Sequence, residues 1–307
     1  MRLVFAGTPA PAVPSLRRLA ASAHDVVAVI TRHDAPLGRK RVLTPSPVAL
    51  AADDLGIDVI RADRLDAEVT ERVKALAPDL GVIVAYGGLV REPLLSTPAH
   101  GWINLHFSLL PRWRGAAPVQ HALIAGDTRT GASVFQLVPE LDAGDVFGAV
   151  ARDIPSDATA GDLLSSLAEE GAHVLSDVID GIAQGTARAT PQRGEPTYAS
   201  KLGDEDGRIR WHDPAAAVLG RIRGVTPEPG AHTTLDGTRL KVLAVTPAPE
   251  DAPAPAPGAF ALHARQVIAG TGTTPIVLET VQPAGKGPMR AADWWRGLRD
   301  TDLVAGS

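Results

Sequence analysis

The chain has 307 residues, of which 45% are hydrophobic, with a net charge of −5 and no cysteine. This length points to two domains, and the apolar content is enough for packed cores. Disulfides, thiolate zinc sites and cysteine nucleophiles are excluded, and the negative charge argues against an extensive nucleic-acid footprint, although local charge can overrule that average.

Met1 to Gly7 is a short apolar run that goes straight into a turn, the pattern of a first buried strand and not of a signal peptide. No run approaches the roughly 18 apolar residues of a membrane span, so a cytoplasmic protein is expected. Arg2 to Ala6, Asp25 to Ile30, Ile57 to Ile60 and Leu80 to Ala85 are apolar runs separated by helix-length stretches. This is the rhythm of a mostly parallel, Rossmann-like α/β sheet. Gly7-Thr8-Pro9 sits where such a sheet binds ligands, but Gly-x-Gly-x-x-Gly and the Walker lysine motif are absent, which makes a dinucleotide or nucleoside triphosphate site unexpected.

A basic loop, Arg32 to Arg41, follows the second strand and ends in Arg39, Lys40 and Arg41, then Thr44-Pro45-Ser46-Pro47. Such a run is ordinarily a solvated surface; it can also grip phosphates at the carboxyl edge of the sheet and steer an RNA end towards a site there. After the fourth strand, Tyr86-Gly87-Gly88-Leu89-Val90 offers a glycine pair that lets backbone approach a flat ligand, or that packing alone demands.

Trp102 to Phe107 is the next strand. Its two-residue period puts Trp102, Asn104 and His106 on one face and Ile103, Leu105 and Phe107 on the other. An amide and an imidazole that point the same way can bind one small polar group, which suits an acyl-type transfer in which a carbonyl oxygen becomes negative and a proton must move. Asp142, in the turn between Ala132 to Val138 and Val146 to Ala151, could orient the imidazole. Taken alone, the three residues fit a partly exposed strand with satisfied polar groups equally well.

Pro118 to Ile124 and Ala160 to Gln184 read as helices. From Gly185 to about Asp206 the pattern dissolves into Gly, Thr, Pro and charges, as in a linker. A helix over Pro214 to Arg223 and five short β-type runs, Ala231 to Leu235, Leu240 to Val245, Gly258 to Leu262, Gln266 to Ala269 and Ile276 to Val281, suggest a small C-terminal barrel of the OB type. The expected organisation is a catalytic domain over residues 1–186, a linker over 187–205 and the OB-like domain over 206–307. Nine histidines show no His-Glu-x-x-His spacing, so no metal is expected. Gly-x-Ser-x-Gly is absent as well.

Asn104-x-His106-x-Ser108-Leu109-Leu110-Pro111-x-x-Arg114-Gly115, followed by Leu141-Asp142-x-Gly144-Asp145, resembles the folate-dependent formyltransferases. The resemblance implies that Asn104, His106 and Asp142 are the catalytic trio. It also implies that Ser108, Leu109, Leu110 and Pro111 lie against a 10-formyltetrahydrofolate co-substrate, and that Tyr86, Gly88, Leu89 and Val90 line its pteridine pocket with Leu141. It extends over nearly the whole chain through Phe5 to Pro9, Thr44 to Pro47, Ser108 to Gln120, Tyr198-Ala199-x-Lys201 and Gln282 to Lys286. In this it is most similar to the branch whose acceptor is methionine esterified to initiator tRNA, which implies a tRNA-binding role for Arg39, Lys40, Arg41 and the C-terminal domain, in a protein expected to be monomeric. The alternatives are a formyltetrahydrofolate hydrolase or amino-sugar formyltransferase with the same trio, and a non-catalytic RNA-binding protein.

Overall fold

The computed structural model describes residues 1–38, 41–298 and 303–305. The first part of the chain forms strands Arg2–Gly7 (β1), Asp25–Thr31 (β2), Ala35–Leu37 (β3), Val42–Thr44 (β4), Val59–Arg61 (β5), Leu80–Val84 (β6), Trp102–His106 (β7), Arg114–Gly115 (β8), Arg129–Gln136 (β9), Val146–Asp153 (β10) and Tyr198–Ala199 (β11). Its helices are Val13–Ala20 (α1), Pro47–Leu55 (α2), Ala67–Ala75 (α3), Pro118–Ile124 (α4) and Ala160–Ala183 (α5). The described residues gather into two compact units, both discontinuous in sequence. One holds Met1–Pro118, Thr130–Arg152 and Leu164–Ala199; the other holds Val119–Arg129, Asp153–Leu163 and the chain from Ser200 onward.

Seven strands make one sheet in the order β10-β9-β7-β6-β1-β2-β5. The strands from β5 through β7 pair in parallel, and β9 pairs antiparallel to β7. The parallel strands read as near-continuous apolar runs because both faces are covered. On one face Val4, Ala6, Ile30, Ile83 and Trp102 pack with Val69 and Val73 of α3. On the other, Leu105 of β7 meets α5 so closely that a Cβ added at Gly171 would stand 3.0 Å from its methyls. Trp102 is fully buried, its indole N–H donates to Leu94 O at 2.9 Å, and it lies over Gly81, where any Cβ would overlap the ring. These contacts hold β7 firmly at both faces before its polar end emerges.

Helix ends follow the local chemistry. Ser46 caps α2, its Oγ accepting from Ala49 N at 3.0 Å, with Pro47 in the first turn and Gly56 in the left-handed conformation at the end. Asp66 caps α3 through Val69 N at 3.1 Å. Each cap contributes about 1 kcal/mol, so Thr44-Pro45-Ser46-Pro47 has a structural reason of its own. β9 begins earlier and ends sooner than the apolar pattern suggests, and just past its end the pairing persists, Leu137 N donating to Trp102 O at 2.7 Å. The basic loop contains a hairpin, β3 with β4, which the sequence reading does not anticipate. Its Leu37, Val42 and Leu43 are exposed, so no alternation of buried and solvated residues marks it.

The second unit is built on strands His232–Leu235 (β12), Thr238–Pro247 (β13), Phe260–His263 (β14), Gln266–Ala269 (β15), Ile276–Pro283 (β16) and Met289–Arg290 (β17), with helices Ala215–Gly224 (α6) and Ala291–Arg296 (α7). The sheet is antiparallel, in the order β12-β13-β16-β15-β14, and β17 also pairs with β16. Among the described residues no ladder joins β12 to β14, and the described ladders make an antiparallel sheet. Its largely aliphatic core holds an aromatic cluster, in which Trp211 and Trp294 each meet Phe260 edge to face, at centroid distances of 5.8 and 6.1 Å. Among the described residues no helix is long and apolar enough to cross a membrane.

Candidate active site

The carboxyl ends of β1, β6 and β7 lie side by side, with Gly7 in register with Val84 and Val84 with Leu105. Because β1 is flanked by β2 on one side and β6 on the other, this edge is where a doubly wound sheet opens a crevice. His106 closes β7 at this edge, and Asn104 precedes it on the same face. The Asn104 side chain is half-buried and has no hydrogen-bond partner among the described residues. A partly desolvated amide left unpaired by its own chain is available to a ligand, since burial without a partner costs free energy.

The His106 ring is held from three sides. Its Nε2 lies 2.8 Å from Trp113 O, its edge meets Phe135 in a T-shaped contact at 6.3 Å, and its Nδ1 faces Asp142 Oδ2 at 3.8 Å. A carbonyl oxygen only accepts, so Nε2 carries the hydrogen, and in the neutral ring Nδ1 has the lone pair. Burial lowers the pKa of His106, which outweighs the raising effects of the Asp142 carboxylate and of the bond to Trp113 O. The neutral form therefore holds at pH 7, and Nδ1 is a base poised beside a carboxylate that stabilises its protonated state.

A titration by ¹⁵N-edited NMR is accordingly expected to find His106 changing state below the ordinary value of about 6.5, with Nε2 protonated throughout; a midpoint above that value would contradict the balance of forces described. The sign for stability follows. Between the lowered folded value and the unfolded value the unfolded chain binds the extra proton, so this contribution is complete above about pH 6.5. It falls by up to roughly 1.4 kcal/mol per pH unit as pH drops through that window.

Asp142 is buried and adopts φ 47, a left-handed conformation that Asp tolerates better than most residues. Its Oδ2 accepts from Gly115 N at 2.7 Å. Gly115 is required there: its φ is 120, and an added Cβ would come within 2.6 Å of Ala199 O. Trp113 is also left-handed, φ 59, with its N–H donating to Thr197 Oγ1 at 2.9 Å and the Arg112 guanidinium stacked 5.2 Å from its ring. Two non-glycine residues in this region on either side of one imidazole place backbone strain of about 1–3 kcal/mol each beside the candidate site.

Other site residues expected from sequence fall into distinct roles. Ser108 is buried; its Oγ donates to Arg112 O at 2.6 Å, and its carbonyl accepts from Ser133 Oγ, which in turn accepts from Leu110 N at 3.3 Å. The Ser108 hydroxyl thus shapes the loop, while Leu109 and Leu110 remain half-exposed and Pro111 is buried. Tyr86 is turned into the core at 2% exposure, its hydroxyl donating to Ala62 O at 2.7 Å, and burial raises its pKa. Gly88 packs against that ring so tightly that a Cβ would overlap it. The ring and the glycine thus have structural explanations, while Leu89, 66% exposed, Leu141, 50% exposed, and the half-buried Val90 are the apolar groups presented to solvent. Arg41 is exposed just before β4; Arg39 and Lys40 lie outside the described residues. Two clefts, of about 330 and 400 Å³, lie along β10; Leu109, Leu110 and Gln192 line one of them, and neither is lined by Asn104 or His106. Among the described residues no three His, Asp or Glu side chains gather as a metal site.

Sequence reasoning missed Ser133 and Gln192, and assigned no site contact to Thr197. Nothing near them in the chain marks them, since each acts through a partner 23 or more residues away.

Comparison with known proteins matches residues 1–179 to the model of the formyl transferase family and residues 201–299 to that of the formyl transferase C-terminal domain. The methionyl-tRNA formyltransferase of Leifsonia xyli subsp. xyli is 64% identical over 97% of this chain and 97% of its own length. That of Clavibacter sepedonicus is 59% identical over 99% and 100%. Among solved structures, the N-formyltransferase of Helicobacter canadensis in complex with folinic acid and dTDP-3-aminofucose shares the fold with a TM-score of 0.69 at 18% identity, covering 92% of this chain and 98% of that one.

Proposed function

The chain belongs to the formyl transferase family through both its N-terminal and its C-terminal parts, and on that premise we propose that it formylates the α-amino group of methionine carried by initiator tRNA. The acceptor rests on close similarity over almost the full length to enzymes named for methionyl-tRNA. The donor in this reading is 10-formyltetrahydrofolate, a folate-type substrate in keeping with the family. The single structural observation that carries the chemistry is the Asn104 amide, without a partner among the described residues, beside an imidazole whose Nδ1 is left for proton transfer.

A free α-amine has a pKa of about 7.7–8.0, so part of it is already a nucleophile near neutral pH. Its nitrogen attacks the formyl carbon, the new C–N bond forms, and the carbonyl oxygen becomes an oxyanion within reach of the Asn104 N–H donors. The attacking nitrogen loses a proton to His106 Nδ1, and the imidazolium so formed faces Asp142. The same proton then goes to the folate nitrogen as its bond to carbon breaks, directly or through water, and returns His106 to its neutral state. In this reading His106 acts as the proton carrier and Asn104 is the principal oxyanion donor, because the second His106 nitrogen is engaged by Trp113 O. Leu109, Leu110, Leu89, Val90 and Leu141 supply apolar surface for the folate rings. Arg41 with its neighbours Arg39 and Lys40 supplies positive charge for the tRNA backbone, and the protein acts as a monomer.

The test is a formyl-transfer assay with charged initiator and elongator methionine tRNAs, an amino-sugar nucleotide and water alone as acceptors. Formyl-methionine on the initiator tRNA is expected. Formylation of the sugar without formylation of Met-tRNA, or release of formate alone, would replace this reading with one of its rivals.

A further inference from the structure

The segment between α5 and the second unit reads in sequence as a linker, yet it is bound along the site. Thr190 and Val146 exchange backbone hydrogen bonds at 2.9 Å, Thr197 accepts from Trp113 N through its Oγ1 and from Arg114 N, at 2.8 Å, through its carbonyl, and Tyr198–Ala199 pairs with Arg114–Gly115. In the middle of it, the Gln192 amide is fully used. Its Oε1 accepts from Arg114 Nε at 3.2 Å and Nη2 at 2.8 Å; its Nε2 donates to Asp142 O and Gly144 O, both at 2.8 Å. The direction of the amide is not arbitrary. Arg114 has only donors to offer and the two carbonyls only accept, so oxygen must face the guanidinium and nitrogen the loop. Arg114 is itself buried, and its remaining charge-assisted contact is to Glu140 Oε1 at 3.4 Å.

We infer that Gln192 is a positioning residue for the formyl-transfer reaction, clamping the backbone of the Asp142 loop so that the carboxylate stands opposite His106 Nδ1. The Asp142 backbone is left-handed and would relax towards commoner conformations if freed. Among the described residues one hydrogen bond from the opposite side, Gly115 N to Oδ2, holds the carboxylate. Two fixed carbonyls, one of them Asp142's own, supply the second anchor, and together they determine where the charge sits relative to the imidazole. Displacements of about 1 Å in such a constellation cost on the order of 100-fold in rate.

The inference rests on the proposed activity, and its test separates the two. In Gln192→Met the side-chain length is kept while the acceptor for Arg114 and the donors for the loop are both lost. In Gln192→Glu the acceptor is kept, as a carboxylate that pairs with Arg114, and only the two N–H donors are lost. If Gln192 merely stabilises Arg114, the Glu variant recovers full turnover. If it clamps the loop, both variants lose roughly 10- to 100-fold in kcat with KM for Met-tRNA changed less than about twofold. Independently of turnover, the His106 titration in Gln192→Met, which adds no charge, is expected to move below its position in the unmodified protein as the carboxylate withdraws. Asp142 is the charged group that acts on the ring. Wild-type-like kcat in the Glu variant, or an unmoved His106 titration in the Met variant, overturns the inference. An unmodified protein that transfers no formyl group to Met-tRNA instead counts against the proposed function, and the titration still decides the clamp.

Discussion

His106→Ala is expected to lower kcat by about 100- to 10,000-fold, the range over which a positioned general base contributes. The imidazole has one nitrogen committed to Trp113 O, and the other, facing Asp142, is the one left to take the proton. The loss should fall on kcat, because the ring is buried and binding of the large tRNA acceptor draws on other surfaces. The variant also leaves Trp113 O without its donor and Phe135 without its edge contact, a structural cost of about 1–3 kcal/mol. The measurement therefore pairs single-turnover formyl transfer at saturating substrates with a thermal melt. Turnover within about threefold of wild type in a folded variant would remove His106 from the mechanism.

Asn104→Ala is expected to cost about 100- to 1,000-fold in kcat, as for removal of one oxyanion donor, and here stability should behave differently. The Asn104 amide has no partner within the described chain, so its removal breaks no hydrogen bond in the free protein. The melting temperature is expected to stay level or rise, because a half-buried polar group left unpaired is replaced by a methyl. A catalytic loss together with unchanged or greater stability is the signature of a group kept for the substrate. A melting temperature that drops by several degrees with kcat retained would mean that Asn104 is structural.

Much of the fold was legible because it rests on short-range periodicity. The apolar runs that became β1, β2, β6 and β7 needed only their length and spacing to indicate a parallel sheet with crossover helices, and the C-terminal runs likewise became an antiparallel sheet. The β3–β4 hairpin escaped notice because its apolar residues are exposed and its cationic run dominates the local pattern. Tyr86 carries a role the sequence did not indicate: the motif implied contact with folate, and the structure gives the ring a packing role in the core, its hydroxyl donating to Ala62 O. Ser46, singled out within a motif, turned out to cap a helix and to bond Thr31 Oγ1 at 2.7 Å.

Composition by itself excluded cysteine chemistry, and the two-residue period of a strand by itself put Asn104 and His106 on one face, since that relation involves neighbours in the chain. It could not say which His106 nitrogen is free, that Asp142 lies across from it, or that Gln192 anchors the loop. Those depend on a carbonyl seven residues away, a carboxylate thirty-six residues on, and an amide fifty residues beyond that. Only the packing of β7, the Trp113 turn, the Asp142 loop and the strap after α5 into one unit brings them together, and hydrogen bonds, burial and ring orientation, which set the chemistry, exist only once that packing is complete.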